Sequence, residues 1–390
     1  MRKRTRAIRW ILLPVLAAIA AVLAWALWPR GPQPLQASLV AAAVPASSAG
    51  YTRAAAGRAL RFPADYGPHN DFQTEWWYYT GNLTAASGEH FGYQLTFFRR
   101  ALQPPAQRVA RSSAWATEQV YLADFALTDV AGGRHDVFER LERGAAGLAG
   151  AQASPYHVWL DDWSVTQQED GQVLMRAAAG DVALELNLHD LKGPVPQGDH
   201  GYSRKGADPG NASYYYSLTH LATHGTVTAR GRAWTVDGLS WMDHEFSTSA
   251  LEPGIVGWDW FSLQLDDGSE LMVYGLRQSE GRLGRFSSGI LVSPDGSTRT
   301  LGAQDFSFEA TGRWRSPHTG ATYPSGWTLR VPSASLQLTI SPYLADQEMN
   351  VSFAYWEGAV RVSGLVAGRP VTGNGYVELT GYAGSLGGRF

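Results

Sequence analysis

From Phe72 onward the chain is cut into short runs of β-branched and aromatic residues by turns that each contain glycine: Ala86-Ser87-Gly88, Ala131-Gly132-Gly133, Asp170-Gly171, Asp267-Gly268 and Asp295-Gly296. That punctuation belongs to β-hairpins. Runs such as Phe91-Gly92-Tyr93-Gln94-Leu95-Thr96-Phe97-Phe98 and Leu271-Met272-Val273-Tyr274-Gly275-Leu276 have the length and residue types of strands. No segment past residue 60 sustains a helical stripe for more than two or three turns. The pattern predicts an all-β protein, either sandwich or barrel. About 330 residues lie beyond residue 60, more than one hydrophobic core usually spans, so two domains are expected.

Two matches in the same order predict that the domains are diverged copies of one unit. Trp77-Tyr78-Tyr79, Leu83, Gly88 and Tyr93-Gln94-Leu95 ending at Arg99 resemble Trp260-Phe261-Ser262, Leu265, Gly268 and Tyr274-Gly275-Leu276-Arg277. The segment from Gly231 to Asp243 aligns with that from Gly368 to Glu378 once two residues are dropped. The copies run from about 72 to 248 and from 255 to 390, the first lengthened by an insertion around 140 to 215. The expected domain spans are therefore 61–248 and 249–390.

The N-terminus reads differently. Arg2, Lys3, Arg4, Arg6 and Arg9 precede about 19 mostly apolar residues from Trp10 to Trp28, enough for roughly 28 Å of helix. Residues 1–30 are thus expected to be a transmembrane signal-anchor or a signal peptide, with the retained anchor favoured. The basic flank would stay on the cytoplasmic side and the rest would lie beyond the membrane, anchored to the inner membrane or free in the periplasm of a bacterial cell envelope. Residues 31–60, rich in Pro, Ala and Ser, read as a flexible spacer.

The whole chain carries 32 basic and 35 acidic residues; six of the basic ones and no acid fall in the first 30, leaving 26 basic against 35 acidic, or −9, beyond. That balance argues against a nucleic-acid partner. Zero cysteines exclude disulfides, thiolate metal sites and thiol catalysis. Twelve of the fifteen Trp lie beyond residue 30, so aromatic rings either pack the strands or line an apolar cavity.

The chemistry-bearing cluster is Trp241-Met242-Asp243-His244-Glu245-Phe246, followed by Gly257-Trp258-Asp259-Trp260-Phe261. Adjacent ionisable groups in an aromatic strand are costly unless satisfied or used; a strand end with solvated charges is the plain alternative. Alternation places Trp241, Asp243 and Glu245 on one face and His244 on the other. The second copy carries Glu378, Leu379 and Thr380 at the matching positions, so it lacks the His and one acid. Two further elements place acids or hydroxyls among rings: Glu75-Trp76-Trp77-Tyr78-Tyr79, with Glu75, Trp77 and Tyr79 on one face, and Tyr214-Tyr215-Tyr216. A carboxyl among indoles has the raised pKa that a neutral general acid needs, or Glu75 is an aromatic-core residue paired to Arg99 or Arg277. Metal motifs fail: position 248 is Thr where a helical zinc motif needs a second His, and His220 and His224 have ligand spacing only on a helix.

The residues Glu75-Trp76-Trp77-Tyr78-Tyr79-Thr80-Gly81, Trp241-Met242-Asp243-His244-Glu245, Gly257-Trp258-Asp259-Trp260-Phe261, Tyr355-Trp356-Glu357-Gly358 and Gly375-Tyr376-Val377-Glu378-Leu379 resemble the AttH-like family, which includes bacterial carotenoid 1,2-hydratases. The resemblance runs from residue 61 nearly to the end. It implies two tandem lipocalin-like β-barrels and a hydrophobic ligand such as an isoprenoid, carotenoid or lipid. For the hydratases it implies addition of water to a terminal trisubstituted alkene without a cofactor or metal. A carboxylic acid protonates the alkene, rings steady the cation and a held water captures it.

On that resemblance Asp243 is the proton donor and Trp241 its aromatic partner. Glu75, His244 and Glu245 join the catalytic group, with His244 or Glu245 holding the water. Trp77, Tyr79, Tyr214, Tyr216, Trp258, Asp259 and Trp260 would contact the ligand. The hydratases' upstream His and Trp are replaced here by Tyr214 and Tyr216, which argues against carotenoid hydration itself and leaves an apolar or amphipathic ligand as the expectation. A non-catalytic lipid carrier at the membrane surface and a secreted hydrolase are the alternatives.

Overall fold

The computed structural model describes residues 48–109, 111–208, 210–248 and 251–385. The helix expected at Trp10–Trp28 lies outside the described residues. Among those described, no helix is long and apolar enough to cross a membrane, and the only helical pieces are three short 3-10 turns. The last part of the spacer docks on the first barrel: Ala54 is buried beside Phe72, Tyr214 and Phe246, and Thr52 donates its N–H to the Asp71 carbonyl at 2.9 Å.

The chain is all-β and forms two lipocalin-like barrels. A 13-stranded sheet runs from Thr74–Ala85 to Arg232–Ser247, and a 10-stranded sheet from Ile255–Leu265 to Arg369–Leu379. In each, the first strand pairs antiparallel on one side with its hairpin partner and on the other with the last strand of the same copy. The hairpins exist because Gly88 (φ +95°) and Gly268 (φ +80°) occupy left-handed turn positions that other residues rarely adopt. The first sheet then curls until side chains of its Arg134–Arg143 edge strand meet the far half of the same sheet. The Arg140 guanidinium lies 4.2 Å from the ring centroid of Trp163, and Arg134 pairs with Asp181 at 3.0 Å.

Alternation fills the barrels. In the His90–Ala101 strand Phe91, Tyr93, Leu95 and Phe97 are fully buried in the first core. Each contributes about 1.5–3 kcal/mol relative to exposure. Phe261 and Leu263 do the same for the second core.

Pairing register identifies equivalent residues in the two copies. Asp243 lies opposite Tyr78 and Ser217, as Glu378 lies opposite Trp260 and Glu357. Arg99 lies opposite Glu75 as Arg277 lies opposite Gly257. The closing match and the two arginines therefore agree with the sequence alignment, while the opening triplet is displaced by one residue and the Tyr93-Gln94-Leu95 match by three. Trp260 is the counterpart of Tyr78, not of Trp77. The slip matters because one residue along a strand changes the face. Similarity of aromatic texture could not detect it, since both faces of this strand carry rings.

The barrels dock through the outer faces of these central strands. Asn82 Nδ2 donates to the Gly375 carbonyl at 2.9 Å, and its counterpart Gln264 donates through Nε2 to the Ser240 carbonyl at 3.0 Å. Lys192 from a first-barrel loop pairs at 2.8 Å with Glu270, which is fully buried. A closely packed third cluster, including Tyr78, Tyr215, Trp241, Trp260, Tyr274 and Tyr376, fills the seam.

Candidate functional site

The Arg232–Ser247 strand ends between two environments. Trp241, Asp243 and Glu245 point into the seam, while Met242, His244 and Phe246 point toward the inside of the first barrel. A cavity of about 130 Å³ opens in the seam, with ring walls from Trp76, Tyr78, Tyr215, Trp258, Trp260 and Tyr355. Its polar surface comes from both copies: Asp243, Glu245 and Lys205 from the first, Glu357 and Glu378 from the second.

Asp243 is 4% exposed. Its Oδ1 accepts from Trp241 Nε1 at 2.7 Å and from Ser217 Oγ at 2.5 Å, and Oδ2 accepts from the Tyr215 hydroxyl. Trp260 Nε1 in turn donates to the Tyr215 oxygen at 3.2 Å. Burial pushes the Asp243 carboxyl up to about 7, against the pull of those three hydrogen bonds and with some help from Glu245. An ordinary carboxylate would be ionised at neutral pH; burial keeps a protonated population of this one there. Glu378, the Asp243 counterpart, accepts from Trp258 Nε1 at 2.7 Å. Burial raises it to about 7 as well, with Asp243 and Glu245 adding to the rise. Glu357 accepts from the Tyr78 hydroxyl at 2.9 Å, and burial followed by the Glu378 charge holds it well above the carboxylate range. Glu245 pairs with Lys205 at 3.2 Å, and the Lys205 ammonium lies 4.1 Å from the Tyr274 ring centroid.

On the opposite face lies a second, closed cluster. Glu75 is fully buried. It receives Arg99 Nε at 2.7 Å, His244 Nε2 at 2.8 Å and His69 Nδ1 at 2.7 Å. His244 Nδ1 meets the Tyr216 hydroxyl at 2.9 Å, and its ring stacks on Trp77 with centroids 4.7 Å apart. His69 Nε2 reaches Asp65 at 2.8 Å. Burial alone would raise Glu75, but Arg99 and the two histidines hold it well below its usual value. Burial pushes the His244 imidazole below its own. His69, Glu75 and His244 offer donor atoms within 4.8 Å of one another, yet both nitrogens of each ring are already engaged with carboxylates or a hydroxyl, and a guanidinium sits beside them. The set reads as a hydrogen-bonded ion cluster sealing the first barrel.

The structure thus divides the expected site. Asp243, Glu245, Trp258 and Trp260 meet in the cavity, with Trp241 behind Asp243. Glu75, His244, Trp77, Tyr79 and Tyr216 lie across the sheet in the first core or its cluster. Tyr214 packs with Phe72 and Phe246 and donates to the Ala55 carbonyl. Asp259, one residue from two cavity tryptophans, faces the other way and pairs with Arg277 at 2.5 Å. His220 and His224 sit on the extended Ala212–Ala229 strand, where His220 Nδ1 pairs with Glu270 at 2.7 Å.

Residues that sequence reasoning passed over as site members are Tyr78, Lys205, Tyr215, Ser217, Glu357 and Glu378. Three consecutive tyrosines give no clue to which one faces Asp243, and the second copy's acids gained meaning only once both barrels shared a cavity.

A family model described as AttH-like matches residues 53–382. An AttH candidate from Nitrosomonas europaea is 37% identical, with a TM-score of 0.75 over 85% of this chain and 99% of its own. Kievitone hydratase from Nectria haematococca shares the fold at 16% identity and a TM-score of 0.64, over 86% of this chain and 96% of its own. A search of curated proteins finds no match. With the family model spanning nearly the whole double barrel, the chain belongs to the AttH-like family.

Proposed function

We propose that this protein is a hydratase of the cell envelope that adds water to an alkene of a hydrophobic, isoprenoid-type ligand, with Asp243 as proton donor. The observation that carries the reading is the Asp243 carboxyl, raised to about 7 in a cavity walled by rings. A proton donor for an alkene must be neutral at working pH and must not be outcompeted by bulk water, and burial among indoles supplies both conditions.

The step balances without a cofactor. The Asp243 O–H proton goes to the less substituted alkene carbon, forming a C–H bond and leaving a carboxylate. The tertiary cation faces the rings of Trp258 and Trp260. Water forms the C–O bond, and the proton it sheds restores the Asp243 carboxyl. Glu245, held by Lys205, is the acceptor placed to orient that water; His244 is screened from it by the sheet. The basic, then apolar, N-terminal pattern supports placement at the membrane, where such ligands dissolve.

The test uses acyclic isoprenoids with a terminal trisubstituted alkene in isotopically heavy water. Wild type should yield a product heavier by one water, and Asp243→Asn should abolish turnover while still binding the ligand. Turnover surviving that substitution would refute the role of Asp243. Transfer of intact ligand between vesicles by both proteins, with no product from either, would instead identify a carrier.

A further inference from the structure

The second barrel brings two acids to the cavity, and one of them is only half engaged. Glu357 is 1% exposed and lines the cavity wall. Its Oε2 accepts from Tyr78, whereas Oε1 has no hydrogen-bond partner among the described residues. A buried carboxyl oxygen without a donor is costly, and native structures keep few of them. A donor or a cation, whose approach favours the ionised carboxylate, is a complement that fits this oxygen.

The charge distribution narrows the choice. Among the described residues four carboxyls line the cavity, those of Asp243, Glu245, Glu357 and Glu378, against the single ammonium of Lys205. Lys205 is committed to Glu245. Three acids therefore face the space without a cation; burial favours their neutral form while the cavity is empty, and a cation seated between the ring faces, which attract positive charge through their quadrupoles, draws them toward the ionised form. The volume narrows it further. About 130 Å³ is close to the size of an engineered apolar cavity that takes up benzene, so the space holds one compact group and not a whole long ligand. A branched, methylated nitrogen on an apolar chain has that size, and its charge suits both the acids and the rings.

We propose that the cavity between the barrels binds lipophilic ammonium ions, seating a methylated nitrogen against Glu357 and the surrounding rings. The inference deepens the hydratase reading and rests on it for its link to catalysis, because a trimethylammonium group carries the charge and approximate bulk of the tertiary cation formed there. Binding itself needs only the cavity.

The experiment titrates the full chain with hexyltrimethylammonium and, separately, with its uncharged carbon isostere, in which a tert-butyl group replaces the trimethylammonium. Tryptophan fluorescence reports occupancy, since Trp76, Trp258 and Trp260 line the site. The ammonium should bind about tenfold more tightly than the isostere. Glu357→Gln should remove most of that preference and leave the isostere's affinity unchanged, which also establishes that the variant is folded. Equal affinity for the two probes overturns the inference while the hydratase reading stands, because a neutral apolar cavity still admits an alkene. An unaltered preference in Glu357→Gln overturns the assignment of Glu357. Binding of neither probe overturns the inference and leaves the hydratase reading to its own turnover test.

Discussion

Replacing Asp243 by Asn should make the protein more stable above neutral pH, because the native state there carries an ionised carboxylate that it solvates poorly. The carboxyl moves from 3.8 to about 7 on folding. That rise is roughly three pH units, and at about 1.4 kcal/mol per unit it amounts to about 4 kcal/mol. The sign follows from proton binding: the folded state holds this proton more tightly than the unfolded state does. The associated stability is full below about pH 4 and is lost as the pH climbs through about 7. Asn cannot ionise, so the variant escapes the loss. It does sacrifice some hydrogen bonding, since its Nδ2 meets the Tyr215 oxygen, which already receives Trp260 Nε1; that costs about 1 kcal/mol. The expected net gain is about 3 kcal/mol near pH 8, shrinking to under about 1 kcal/mol near pH 5 and vanishing between about pH 4 and 5. Urea denaturation followed by tryptophan fluorescence across that range measures it. A difference between variant and wild type that does not change with pH, or a less stable variant at pH 8, would refute the argument that burial holds this proton.

The cluster inside the first barrel should respond in the opposite sense. Glu75→Gln leaves Arg99 buried without its counter-charge, so stability should fall by about 3–5 kcal/mol, readable as a drop in Tm of about 10 °C or more; a loss under about 1 kcal/mol would mean that the other acceptors of Arg99, Gln119 Oε1 at 2.7 Å and the His69 and Phe72 carbonyls, suffice to hold it. At the seam, a Cβ added to Gly92 would lie 2.3 Å from the Ala359 Cβ. Gly92→Ala should therefore push the barrels apart, costing about 1–3 kcal/mol and weakening ligand binding in the cavity. Unchanged binding together with unchanged stability would show that the seam tolerates displacement.

The class of fold and the faces of its strands are legible in the amino-acid order alone. Glycines at 88 and 268 and the alternation of Phe91, Tyr93, Leu95 and Phe97 specify hairpins with one buried side, because turn conformation and the two-residue strand period are local properties. The same period separated His244 from Asp243 and Glu245, and grouped Glu75 with Trp77 and Tyr79, as the structure has them. What alternation cannot tell is what a face will meet. Both faces of the Thr74–Ala85 strand are aromatic and buried, one by its own barrel and the other by the second copy. Glu75 and Asp243 are thus close along the pairing register yet chemically separate, and Glu357 and Glu378 join Asp243 from more than 100 residues away. Only the docking of two barrels decides that, because the cavity's acidity comes from removing carboxyls of both copies from water at once, and desolvation is a property of the assembled seam rather than of any strand.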